Sequence, residues 1–349
     1  MNFITKIAFL ALIILTSCNS TAQKNDKYQK SIDSILQNAN PKFNGVVLIS
    51  KNGKTVYSKA KGFANFETKK PLTIDSQFEI MSLTRQITAS LVLQEVEKGK
   101  IDLHTPIKKY LPNLKQTWAD TITVHQLLNH SHGITDLQKP LLFKPGTDFK
   151  YGNEGYPILG QILEAVSKKS YSELANALFK KLKMNHTFCY SKDSDQNLVT
   201  GYMSNNTNFK KAENNLISPY RVPSSGLVSN VKDLLIWNNN LHKGKILKPE
   251  SYKLMTSYTI KNQHNFFGKE KEGYGYGLRI IEKEPVKYFG HTGLGNGFSA
   301  VNLYFPESDV SLIALENQMP EDANLFYATE FKIKNILFKS DLLSKNGKK

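Results

Sequence analysis

Cysteine is almost missing from this sequence: its 349 residues include two, Cys18 and Cys189. A disulfide-stapled scaffold is thereby excluded, and the core alone must hold the fold. No histidine spacing marks Cys189 as reactive, so it reads as an inert buried thiol. Apolar runs long enough to cross a membrane are also lacking. The N-terminal run from Ile7 to Thr16, behind Lys6, falls short of the roughly 20 residues a transmembrane helix needs. It reads as the apolar region of an export signal. Acidic residues are outnumbered, 30 Asp and Glu against 46 Lys and Arg, for a net charge of +16. That excess favours acidic partners, such as a surface of anionic lipid or polymer. Nucleic acid is not among the expected partners, because the basic residues are scattered and show no zinc-finger spacing, RNA-binding aromatic signature or basic helix. Lysine-rich solvated faces account for most of the charge. Repeats and low-complexity tracts are absent as well.

With 40% hydrophobic and 11% aromatic residues, the chain has ample material for a large core. Leu15-Thr16-Ser17-Cys18 resembles a bacterial lipoprotein box, in which the cysteine is lipidated and becomes the first mature residue. The expected division is a signal peptide over residues 1–17, a tether over 18–27, one domain over 28–340 and a basic tail over 341–349. On that reading Cys18 carries a lipid anchor, and the protein is a membrane-anchored lipoprotein of the bacterial cell envelope. Ordinary cleavage near Ala22, with Cys18 discarded, is the alternative; export is common to both.

Along the domain, Tyr28, Ile32, Ile35 and Leu36 share one helical face, and Lys51-Asn52-Gly53-Lys54 separates two strand-like runs, Gly45 to Ser50 and Thr55 to Lys61. From Ser82 a helical pattern through Ile87, Leu91, Val92 and Val96 runs to Gly99. Helices are predicted over Val124 to Asn129, Tyr156 to Ser167, Tyr171 to Leu182 and Val231 to Leu241. Strands are predicted over Tyr274 to Ile281, Val286 to Phe289, Phe298 to Phe305 and Val310 to Glu316, with a closing helix over Ala323 to Phe338. The fold class expected is α+β, an α/β sandwich. Both chain ends build one antiparallel sheet with flanking helices, and a mainly helical lobe, roughly 83–240, is inserted. A cleft between sheet and lobe would house the site.

Nucleophilic acyl transfer needs a hydroxyl, a group that takes its proton, a donor network and backbone N–H groups aimed at the developing oxyanion. Three segments can supply these: Ser82-Leu83-Thr84-Arg85, Tyr151-Gly152-Asn153 and His291-Thr292-Gly293. Their order and spacing resemble the serine β-lactamase, DD-peptidase and related esterase superfamily, its class C branch in particular. Surrounding segments share the resemblance: Phe78-Glu79-Ile80, Leu127-Leu128-Asn129-His130, Pro223-Ser224-Ser225-Gly226 and Gly275-Tyr276-Gly277. The resemblance implies Ser82 as nucleophile, Tyr151 as general base and Asn153 as the group orienting the substrate's acyl-side amide. It further implies His291 as a proton relay or holder of a substrate carboxylate. The same resemblance implies that substrate lies along Thr292 and Gly293 and that the N–H groups of Ser82 and Leu294 form the oxyanion hole. Catalysis of this type takes no cofactor.

Arg85 departs from the family, which keeps a lysine one helical turn after the serine. Arginine does not lose its proton, so Arg85 can act only as a fixed cation beside Tyr151, or else it impairs catalysis and leaves a binder of cell-wall peptides. His125, His130 and His132 are clustered, but no nearby carboxylate or cysteine completes a metal set. The expected partner is a small molecule or peptide: a cell-wall D-alanyl peptide, a β-lactam or a short ester. His-Thr-Gly in place of Lys-Thr-Gly resembles the DD-peptidase and esterase members more than the β-lactamases.

Overall fold

The computed structural model describes residues 27–191, 198–205, 208–213, 218–260, 263–264, 271–282 and 284–343. Cys18 and its lipoprotein box lie outside the described residues, as does the tail from 344 onward. The main sheet has eight strands, each antiparallel to its neighbours. In spatial order they are Gln263–His264, Lys271–Tyr274, Arg279–Ile281, Tyr288–Gly295, Phe298–Phe305, Val310–Glu316, Gly45–Lys51 and Lys54–Lys61. The sheet is thus closed from both ends of the chain, Gly45 pairing with Glu316 and Lys51 with Val310. At its hairpin Asn52 (φ 53°) and Gly53 (φ 74°) both lie in the left-handed region, as a tight two-residue turn between twisted strands requires.

Alternate side chains leave opposite faces of a strand, and here both faces are buried. Val46, Leu48, Ile313 and Leu315 enter one core, together with Leu83 and with Ile87 and Val92 of the helix Thr84–Glu97. Val47, Ile49, Leu312 and Ala314 enter the other. Tyr28, Ile32 and Leu36 from the helix over residues 27–37, with Ile333 and Leu337 of the helix Ala328–Phe338, cover that second face.

Four expectations change. The strand expected over Val286 to Phe289 runs over Tyr288–Gly295 and so includes His291-Thr292-Gly293. Tyr274 to Ile281 is a hairpin, Lys271–Tyr274 turning into Arg279–Ile281, instead of one strand. The turn residue Gly277 has φ 69°, and a Cβ on it would lie 2.6 Å from the Arg85 carbonyl oxygen, so glycine lets this turn rest on the start of the helix Thr84–Glu97. The closing helix begins at Ala328, after Tyr327 enters the left-handed region at φ 59°. Finally, the inserted lobe carries short strands among its helices: Phe188–Cys189, Tyr202–Asn205, Asn208–Lys211 and Leu227–Ser229. Runs of two to four residues are too short for their period to stand out from a helix.

Candidate active site

Ser82 owes its position to a sharp turn. The short strand Phe78–Glu79 pairs with Leu227–Ser229, and the chain then turns through Met81 at φ 48° into a single 3-10 turn, Met81–Leu83, that runs into the helix Thr84–Glu97. A left-handed methionine is a strained backbone position of the kind that accumulates at functional sites. Met81 and Leu83 are buried, whereas Ser82 between them reaches the cleft. The strand Tyr288–Gly295 lies against this turn: a Cβ on Gly293 would sit 2.4 Å from the Ile80 carbonyl oxygen. Among the described residues the Ser82 hydroxyl has no hydrogen-bond partner. It stands at a helix N-terminus, where developing negative charge is favoured.

Arg85 lies one turn further along the helix and is fully buried. Its guanidinium bypasses the serine: Nη2 donates to the Gly152 carbonyl at 3.2 Å and to Asn153 Oδ1 at 2.6 Å. Cζ lies over the Tyr151 ring, 4.7 Å from its centroid, and 5.4 Å from that of Tyr156. Nε and Nη1 are buried without partners, and no carboxylate among the described residues pairs with this cation. The segment Tyr151-Gly152-Asn153 is therefore fixed from below by Arg85. From the rim, Arg221 Nη1 donates to the Asn153 carbonyl at 3.1 Å while its Nη2 lies 2.7 Å from Glu154 Oε1. With Oδ1 engaged by Arg85, Asn153 presents its amide NH2 to a ligand.

His291 is fully buried behind Tyr151, their ring centroids 5.9 Å apart. Its Nδ1–H donates to the Thr292 carbonyl at 2.6 Å, and Nε2 accepts from the Tyr274 hydroxyl at 2.9 Å. Burial, reinforced by Arg279 and Arg85, holds this imidazole well below its usual titration range, so it is neutral. His130, 4.6 Å from the Tyr151 ring, is held down by burial and then Arg85. Tyr156 and Tyr274 are pushed far up by burial and stay protonated. Neutral groups thus surround Tyr151, except for two guanidiniums.

A cleft of about 600 Å³ opens above this arrangement. Ser82, Tyr151, Asn153 and Leu294 line it; Arg85, His291, Thr292 and Gly293 lie behind its wall. Lys150, Glu154 and Arg221 line it too, and these the sequence reading missed. So were Arg279 and Glu272, a buried ion pair at 2.6 Å beside Tyr151. Arg221 and Arg279 stand within two residues of Pro223 and Gly277, in segments that carry the resemblance, which was the available signal. The clustered histidines hold the scaffold. His125 Nδ1 is 2.6 Å from the Tyr276 hydroxyl. His132, pushed down to about 4 by burial, accepts the Ile134 N–H at 2.9 Å on Nδ1 and packs against Gly155. A hydroxyl at a helix start, a phenol beside cations and an amide donor on one cleft form an arrangement suited to acyl transfer.

The Beta-lactamase family model matches residues 32–333. The chain is 26% identical over 330 residues to Protein flp of Staphylococcus aureus (strain N315), covering 85% of this chain and 64% of that protein, so it spans somewhat less than two thirds of that relative. It is 27% identical over 343 residues to the teichoic acid D-alanine hydrolase of Staphylococcus aureus (strain NCTC 8325 / PS 47), covering 93% of this chain and 79% of the relative. Among solved structures, the octameric penicillin-binding protein homologue from Pyrococcus abyssi superimposes with a TM-score of 0.76 at 27% identity, over 92% of this chain and 78% of that one. The D-amino acid amidase from Ochrobactrum anthropi SV3 shares the fold, with a TM-score of 0.77 at 21% identity over 90% of this chain and 99% of its own.

Proposed function

The chain belongs to the Beta-lactamase family, and on that premise we propose that it is a serine hydrolase working through a Ser82 acyl-enzyme on D-alanyl esters or amides. The observation that carries this reading is the convergence of Ser82, Tyr151 and Asn153 on one cleft of about 600 Å³ over a buried guanidinium. Ser82 Oγ attacks the acyl carbon while its proton passes to Tyr151, which acts as the phenolate and becomes the neutral phenol. The carbonyl π electrons move to oxygen, which the Ser82 and Leu294 N–H groups receive. As the carbonyl re-forms, the bond to the leaving alcohol or amine breaks and the leaving group takes the proton. Water then repeats the sequence on the acyl-serine and releases the acid. Arg85 never gives up its proton in this scheme; it fixes the loop carrying Tyr151 and Asn153 and favours negative charge beside it.

Lys150 and Arg221 at the cleft, with the chain's net charge of +16, suit a D-alanyl group carried on an acidic polymer. Export and a lipid anchor at Cys18 would place the enzyme beside such a polymer. The test is intact-mass spectrometry after incubation with a D-alanyl ester, a D-Ala-D-Ala peptide and a penicillin. An adduct on the wild type, absent from Ser82→Ala, is the expected result; no adduct with any of them overturns the reading. One observation favours a second reading, a peptide binder without turnover: the Arg85 guanidinium is directed at the loop, not at Ser82. Saturable peptide binding without an adduct would establish it.

A further inference from the structure

Tyr151 stands beside a second guanidinium. Arg279 begins the strand Arg279–Ile281, paired with Tyr274 across the hairpin, and its Cζ lies 5.5 Å from the Tyr151 ring centroid. Arg279 and Glu272 are both buried, with side-chain exposures of 3% and 2%, and Nη1 donates to Glu272 Oε1 at 2.6 Å. A buried ion pair is a poor device for stability alone, because a neutral pair of similar volume commonly does as well or better. Burial outweighs even the pull of Arg279 on this carboxyl: Glu272 is pushed up to about 7, with Glu284 adding to the rise and Lys334 opposing it. The pair is thus an expensive arrangement set against one particular ring.

We propose that Arg279 is a positioning residue of the acylation site, holding the Tyr151 ring from the sheet side and sharing with Arg85 the stabilisation of charge that builds at the Ser82–Tyr151 pair. The lysine that the family keeps one turn after the serine then gives way to two cations approaching from different elements, one on the helix Thr84–Glu97 and one on the sheet. Glu272 orients Arg279 and offsets part of its charge. Burial keeps the neighbouring His130 and His291 neutral and Arg279 adds to it, so neither becomes a competing cation. This inference rests on the Ser82 acyl-enzyme reading but on no particular substrate.

The test therefore uses a substrate-independent probe, a fluorophosphonate. Its P–F bond breaks as Ser82 Oγ bonds to phosphorus, fluoride leaves and the serine proton passes to Tyr151. Single-turnover labelling of the full chain is compared across variants. Arg279→Met should slow labelling on the order of tenfold, and Arg279→Lys should recover part of that loss. The double variant Arg279→Met with Glu272→Gln buries a neutral pair and so avoids a stranded carboxylate; it should remain as slow as Arg279→Met. In a Tyr151→Phe background, Arg279→Met should add nothing, since both act through the same ring. Wild-type labelling rates in Arg279→Met, recovery of that rate in the double variant, or full multiplication of the effects in Tyr151→Phe each overturn the inference while leaving the acyl-enzyme reading intact. A wild type that is not labelled at all overturns both.

Discussion

Replacing Arg85 by methionine separates what a buried cation does for chemistry from what it does for the fold. The guanidinium makes one charge-assisted hydrogen bond to Asn153 Oδ1 at 2.6 Å and a longer one to the Gly152 carbonyl at 3.2 Å. A hydrogen bond to a charged group contributes about 1.5–3 kcal/mol. If the loss is felt in the transition state, then at 1.36 kcal/mol per tenfold the acylation of Ser82 slows by roughly 10 to 150 times. Stability moves differently. Nε and Nη1 of Arg85 are buried without partners, and no carboxylate compensates the charge among the described residues, so the folded state bears a desolvation cost of several kcal/mol. Methionine fills a similar volume between the Tyr151 and Tyr156 rings without that cost.

Arg85→Met should therefore acylate slowly yet melt no lower than wild type. Single-turnover labelling and thermal unfolding on the same preparation measure both. Labelling at the wild-type rate would refute a role for the cation. Slow labelling with a melting temperature lower by more than about 4 °C, a loss beyond roughly 1 kcal/mol, would make Arg85 a structural residue whose removal disorders the loop. Arg85→Lys keeps the charge and should acylate at least as fast as wild type. Tyr151→Phe removes the proton acceptor and should be the more damaging change.

Ser82→Ala should abolish labelling by fluorophosphonate and penicillin in gels; labelling that persists would move the nucleophile to Ser224 or Ser225 on the same cleft. Cys18→Ala should release the protein from membranes or block its processing, and a wild-type chain that is soluble and begins near Gln23 would refute lipidation. Glu316 and Glu330 are buried side by side, and burial with mutual repulsion raises Glu316 well above its ordinary range while burial raises Glu330. Raised folded-state values mean stability is full below the unfolded carboxyl range and is lost as pH rises through the folded values. Glu330→Gln should accordingly raise the melting temperature more at pH 8 than at pH 5, by about 2–4 °C for each kcal/mol relieved; an equal change at both pH values would refute the role given to these buried carboxyls.

Legibility in the sequence followed the range of the forces involved. The strands Phe298–Phe305 and Val310–Glu316 and the helices Tyr171–Leu182 and Val231–Leu241 match their predicted bounds. Their signals are local: largely apolar runs, a Ser170 to Glu173 capping box and the Asn230 cap. The hairpin hidden in Tyr274 to Ile281 was not legible, because its turn is dictated by the close approach of Gly277 to the Arg85 carbonyl, a contact across the fold. Ser82, Tyr151 and Asn153 could be placed on one cleft through their motifs. The burial of His291 could not, since it depends on a Tyr274 hydroxyl that comes from the neighbouring hairpin. Arg279 was missed for a like reason: Gly277 nearby marks its segment, but nothing local says that its head reaches the Tyr151 ring.

The contrast between the two arginines gives the substitution at position 85 its meaning. Arg279 is neutralised in place by Glu272, as a buried cation ordinarily must be. Arg85 is just as buried, but its hydrogen bonds go to neutral oxygens, and no carboxylate among the described residues answers its charge. A structural arginine would carry its own carboxylate, because an uncompensated buried charge is the costlier arrangement. The acids that touch Arg85 are tyrosines, and of these Tyr151 alone lines the cleft. The charge that answers Arg85 therefore belongs to the reaction: Tyr151 carries it as the phenolate that takes the Ser82 proton, it moves to the oxyanion as that proton is taken, and it returns to Tyr151 when the proton is passed on. A lysine could share that proton; an arginine can only stabilise the phenolate, and the loop it holds is the one that carries that oxygen.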